Sequence, residues 1–135
     1  MPKTVAGSLL LSLMLILPLF AQQPGPGAIE VERAVVATAI ENREPVGVAD
    51  SFPEDVGSVY YHTTLTGEFG ETTLEHVWLH DGQEMARVAL HVRGPRWRTW
   101  SAKKIPPPWS GPWEVRLVDG GGAVLHSTRF NVGSE

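Results

Sequence analysis

From about residue 29 onward the apolar residues either alternate with polar ones or come in short β-branched runs bounded by Gly, Pro and Asp, without the i, i+3, i+4, i+7 spacing of an amphipathic helix. That pattern predicts strands. Ile29 to Ile40 reads as a long first strand, bulged near Ala34 because the inward parity is not held throughout. Asn42 to Val48 (NREPVGV) is a turn region, since Glu44 precedes a proline and is biased away from helix, and Asp50 to Gly57 is a loop. Ser58 to Thr66 is a strand that sets Val59, Tyr61 and Leu65 on one face.

The clearest hairpin joins Thr72 to His80 with Glu84 to Arg93 through Asp81-Gly82. A two-residue loop would oppose Val77 to Ala86 and Glu75 to Val88, putting a carboxylate against a valine on the core face. A three-residue loop over His80, Asp81 and Gly82, with Gly82 left-handed in a G1 bulge, opposes His76 to Ala86 and Leu74 to Val88. It gathers Leu74, Trp78, Ala86, Val88 and Leu90 on one face with only His76 polar, so hydrophobic consistency selects it. Arg96 to Ser101 is the next strand, ending in a corner from Lys104 to Pro108 (KIPPP) whose three prolines exclude a ladder strand. Trp113 to Val118 and Val124 to Val132 form a last hairpin turned at Asp119 to Gly122. About seven short strands without a helix predict an all-β, immunoglobulin-like antiparallel β-sandwich with Trp78 as its core tryptophan, lacking the cysteine pair of antibody domains.

Composition sets the domain plan. Lys3, the apolar run from Val5 to Phe20 and the small Ala21 read as a signal peptide over residues 1–21, an apolar leader helix ahead of the domain. Residues 22–28, opening on QQPGPG, are a spacer, and residues 29–135 are one domain. The expected location is the periplasm or the exterior of a bacterium, with membrane contact only through an uncleaved N-terminal segment. With no cysteine the domain has no disulfide and no thioether lipid anchor, and must stand on its core. Past the leader, ten Lys and Arg face fifteen Asp and Glu, an excess of negative charge that argues against nucleic acid as a partner.

From Arg33 to Val132 the sequence resembles a bacterial family known as domain of unknown function 2914. The resemblance is carried by REPV at Arg43 to Val46, the paired Tyr60 and Tyr61, H-x-W at His76 to Trp78, WRTWSAK at Trp97 to Lys103, and G-x-W-x-V-x-L-V-D at Gly111 to Asp119. It implies an exported or envelope-attached β domain and no particular activity.

Four of the five tryptophans lie between Trp97 and Trp113, interleaved with Arg96, Arg98, Lys103 and Lys104. In an extended strand Trp97 and Thr99 point one way and Arg96, Arg98 and Trp100 the other. Trp97 and Trp113 then fill the core, Trp109 sits in the proline corner, and Trp100 lies among cations. There it either packs under arginine stems or stacks on a sugar, an acidic peptide or a headgroup. The candidate contact residues are Arg96, Arg98, Trp100 and Lys103, with Arg43 in its turn as an outlying one that meets a carboxylate of the protein or of a ligand. Ser101 and Lys103 lack a nucleophile elbow and read as a solvated corner rather than a catalytic pair. His76 and His80 would stand roughly 13 Å apart along a strand, too far for one metal ion. His76, inward beside Trp78, reads as a hydrogen-bonded core histidine. No catalytic, metal or cofactor site is predicted. The expected role is a non-catalytic binding module whose partner is an envelope protein, a glycan or an acidic ligand. The alternatives are a small envelope hydrolase or transferase with a site assembled across strands, and a purely structural accessory domain.

Overall fold

The computed structural model describes residues 28–133, so the expected leader and most of the spacer lie outside the described residues. The strands are β1 (Glu30–Ala37), β2 (Ala39–Glu41), β3 (Glu44–Val46), β4 (Ser51–Phe52), β5 (Gly57–Thr66), β6 (Glu71–His80), β7 (Gln83–Arg93), β8 (Arg96–Ile105), β9 (Gly111–Val118) and β10 (Val124–Val132). Seven of them have eight residues or more, and these are the seven that alternation predicts. One sheet has the order β1-β5-β8 and the other β4-β10-β9-β6-β7, while among the described residues β2 and β3 pair only with each other. The first, second and fifth long strands thus form one layer and the third, fourth, sixth and seventh the other, an immunoglobulin-like sandwich as expected.

Between the sheets the inward residues make one core. Val59, Tyr61 and Leu65 of β5 face Leu74 and Trp78 of β6, Leu90 and Val92 of β7, Trp113, Val115 and Leu117 of β9, and Phe130 of β10. Each such side chain contributes about 1.5–3 kcal/mol on burial, which is how the domain stands without disulfides. Trp78 is wholly buried, edge-on to Tyr61 at 6.4 Å and to Phe130 at 6.2 Å.

The β6–β7 hairpin shows the expected face and an unexpected register. Asp81 and Gly82 both have positive φ and His80 pairs with Gln83, so the loop has two residues and not three. One step away the register shifts between Trp78 and Leu79, after which Trp78 opposes Ala86, His76 opposes Val88 and Leu74 opposes Leu90. A bulge at Met85 supplies the odd residue that was expected in the turn. It returns the apolar parity to the core side while letting Asp-Gly close the tightest loop.

Three other expectations are corrected. The first strand breaks at Thr38, and its bulge falls between Val31 and Arg33, two residues before Ala34. Asp50 to Gly57 is not all loop, since Ser51–Phe52 pairs in parallel with the end of β10 and buries Phe52. The strand expected to stop at Ser101 runs to Ile105, because Ala102 to Ile105 keep pairing with β5 and Ile105 is buried. The prolines then take over: Pro107–Trp109 is a single 3-10 turn, tied by the Ser110 hydroxyl donating to the Pro107 carbonyl at 2.8 Å.

Candidate functional site

The register of β5 against β8 builds two polar clusters back to back. His62 pairs with Trp100, Thr63 with Thr99, and Tyr61 with Ser101, so neighbouring residues on the same two strands face opposite ways.

Inward lies a closed chain of hydrogen bonds. Trp78 Nε1 donates to Ser101 Oγ at 3.1 Å, and Ser101 Oγ lies 2.7 Å from His76 Nδ1. His76 Nε2 lies 3.3 Å from Thr63 Oγ1, and Thr63 Oγ1 donates to the Thr99 carbonyl at 3.4 Å. Because the indole only donates and the carbonyl only accepts, every proton is assigned: Ser101 donates to Nδ1, and His76 carries its proton on Nε2 and donates to Thr63. Burial pushes the His76 pKa down to about 3, the neutral form that this chain requires. His76 is therefore the hydrogen-bonded core histidine expected. Ser101 is not at a solvated corner; it is buried and holds the two sheets together through Trp78 and His76. The serine–histidine contact is sealed from solvent, and the hydroxyl's proton is already committed to His76, so the pair offers no accessible nucleophile. Tyr61 makes a second bridge between sheets, its hydroxyl 3.0 Å from Thr128 Oγ1 and 3.3 Å from His126 Nδ1, and burial pushes its pKa up to about 12.

Outward, on the far side of the three-stranded sheet, the second cluster is open. The β2–β3 hairpin turns at Asn42 and Arg43, both with positive φ, and lays that turn over β5. His62 lies beneath it with no exposed surface, stacked at 6.0 Å and 5° on Trp100, its Nε2 2.8 Å from the Arg43 carbonyl. Because that carbonyl only accepts, Nε2 carries a proton and donates to it; desolvation lowers the His62 pKa and favours the neutral ring, which leaves Nδ1 as a buried acceptor with no donor among the described residues. Such an orphan costs about 1–3 kcal/mol. Glu44 spans Arg33 and Arg98, which flank Thr64 in one row of the sheet. The Arg98 guanidinium, hydrogen-bonded to Glu44, holds that carboxyl below its usual pKa. Arg96 pairs with Glu32 at 2.7 Å.

An open concavity of about 550 Å3 lies along this side, lined by Arg43, Arg96, Arg98 and Trp100, with Trp97, Thr99 and His91. The fold thus brings together four of the five candidate residues. Trp100 is 37% exposed, and Arg43 has no carboxylate partner among the described residues. Arg96 and Arg98 are each part-neutralised by a glutamate. Lys103 does not join them. It shares the parity of Ser101 and Ile105, and its ammonium sits 4.9 Å from the Trp109 ring in the proline corner. Trp97 is only partly buried and carries the Arg93 guanidinium at 5.6 Å, so it closes the rim of the core rather than filling it. No group of three or more carboxylates and imidazoles close enough for a metal ion occurs among the described residues.

Sequence reasoning missed His62, Glu44 and His91. His62 and Glu44 meet Trp100 and Arg98 only through pairing between distant segments, and His91 reaches the concavity from the other sheet. No local pattern marks any of the three.

The profile of a family described as Protein of unknown function (DUF2914) matches residues 71–132. That stretch is DUF2914-like, as its motifs implied. It contains H-x-W, WRTWSAK and the Gly111 to Asp119 segment, and stops short of Arg43 to Val46 and of Tyr60-Tyr61. No curated protein matches the chain.

Proposed function

We propose that this DUF2914-like chain is a non-catalytic, exported binding module of the bacterial cell envelope, and that it takes an anionic ligand in the concavity beside Trp100. One observation carries the reading: residues far apart in sequence, Arg43 in a hairpin turn and Arg96, Arg98 and Trp100 on β8, converge on one open, cationic and aromatic surface of a domain whose acidic groups outnumber its basic ones. An exposed indole among guanidinium groups offers stacking and cation–π contact of about 0.5–2 kcal/mol to whatever docks there. Arg43, with no internal carboxylate partner among the described residues, keeps its donors for a ligand.

The leader-like sequence supports export, and the sealed serine–histidine pair favours binding over hydrolysis. Two measurements test the proposal. Cell fractionation of a bacterium expressing the chain, with mass spectrometry of its N-terminus, is expected to find it outside the cytoplasm without its first residues. A binding screen over acidic peptides, anionic oligosaccharides and anionic vesicles is expected to give a ligand that Arg43→Ala combined with Trp100→Ala no longer captures, at an unchanged circular dichroism spectrum. Capture that survives both substitutions would remove the concavity from the proposal.

A further inference from the structure

We propose that the concavity is a strand-addition site, and that its ligand is an extended acidic peptide that pairs with the free edge of β8. This rests on the binding reading above and specifies its partner.

The lining gives the first argument. Five consecutive residues, Arg96 to Trp100, all contribute to it. Side chains on a strand alternate between faces, so a site on one face would be lined by alternate residues. Contributions from both parities mean that the concavity runs along the edge of the strand. β8 ends its sheet, with β5 as its one partner among the described residues.

The ladder gives the second. Gly67 N–H donates to the Pro95 carbonyl at 2.9 Å, continuing the offset by which Thr66 pairs with Arg96. In an antiparallel ladder hydrogen-bonded pairs alternate with non-bonded ones. Leu65 with Trp97 and Thr63 with Thr99 are then the bonded pairs, and the backbone groups of Arg96, Arg98 and Trp100 point away from β5 toward the open edge. The same three residues present two guanidinium groups and an indole, at the two-residue spacing of about 6.6 Å that an added strand reproduces.

Charge selects the occupant. Pairing β8 with β8 of a second copy sets Arg98 against Arg98, or Arg96 against Arg98, and like charges directly opposite are destabilising. A strand with carboxylates at alternate positions meets Arg96 and Arg98 in register and finds Arg43 beside it. Main-chain bonds along the edge then supply affinity and the arginines supply selectivity.

The test titrates the full chain with a capped heptapeptide whose glutamates alternate with valines. Its controls are the same peptide with lysines in place of glutamates, a heparin-derived tetrasaccharide, and phosphatidylglycerol vesicles. The acidic peptide is expected to bind and to slow hydrogen exchange at the Arg98 and Trp100 amides at least tenfold, while the lysine peptide does neither. Arg98→Pro, which removes charge and edge N–H together, is expected to weaken binding at least tenfold more than Arg98→Ala, which removes charge alone. Should the proline variant not fold, amide exchange in the unmodified chain decides. Peptide binding without protection of those amides, or capture of the oligosaccharide or vesicles alone, overturns strand addition and leaves the binding reading standing. No binding to any of these probes overturns both.

Discussion

The two polar clusters around β5 and β8 share a backbone and differ in closure. Inside, Trp78, Ser101, His76 and Thr63 satisfy one another in a single direction from indole to carbonyl. Outside, His62 keeps a buried acceptor without a donor, Arg43 has no carboxylate partner among the described residues, and Trp100 is partly bare. A buried network that is fully satisfied rigidifies a core and has no valence left for a ligand. An unsatisfied one at the surface has donors and acceptors to spare, which makes the outer cluster the place to look for binding although the inner one holds the more enzyme-like pair.

The largest expected effect is on the closed cluster and comes from pH. His76 has a folded pKa of about 3 against an ordinary 6.5, so between those values the unfolded chain binds a proton that the folded chain refuses. Stability therefore falls as pH drops through that window, by at most about 1.4 kcal/mol per unit and on the order of 4 kcal/mol in all. Denaturant titrations from pH 7 to pH 3 are expected to show this slope in the native chain and a flatter one in His76→Gln. Equal slopes would mean that His76 is not held neutral.

Next is Ser101→Ala, which leaves the Trp78 N–H and His76 Nδ1 unpaired inside the core. We expect a loss of about 2–4 kcal/mol, read as a lower urea midpoint at unchanged m. A loss below 1 kcal/mol would show that the seam is not closed. At the alkaline end Tyr61, with its pKa raised to about 12, resists ionisation that the unfolded chain undergoes near 10, so stability is expected to fall as pH rises from 10 to 12 and to do so less in Tyr61→Phe.

On the open cluster the expected effects on stability are small and those on the proposed binding are not. Trp100→Ala is expected to cost about 1 kcal/mol or less in stability, because the indole is partly exposed, while weakening capture of the proposed ligand by about 0.5–2 kcal/mol. Glu44→Gln frees Arg33 and Arg98 from their shared carboxylate and is expected to tighten binding of an acidic peptide a few-fold at low salt, an advantage that fades at higher ionic strength. A Trp100→Ala variant as destabilised as Ser101→Ala would erase the distinction between the two clusters.

Much of this was legible locally. Period-two alternation located the seven long strands and the core parity of Leu74, Trp78 and Leu90. The same alternation separated Trp100 from Trp97. The β6–β7 register was misread because a bulge at Met85 and an extra turn residue restore the same parity, and hydrophobic pattern cannot tell them apart. Ser101 was misread because its neighbours Lys103, Lys104 and the prolines suggest solvent, whereas its partners Trp78 and His76 come from the opposite sheet.

Strand existence, side-chain parity and the assembly of aromatic and cationic residues on β8 were determined by the sequence, since each depends on spacing along a few residues. Which distant segments pair within a sheet and pack between sheets was decided only by the tertiary structure, because contacts between such segments carry no local signature. It set His62 under Trp100, closed the polar seam through Ser101, carried Lys103 off to the proline corner, and left one edge of β8 without a partner strand among the described residues, beside Arg43.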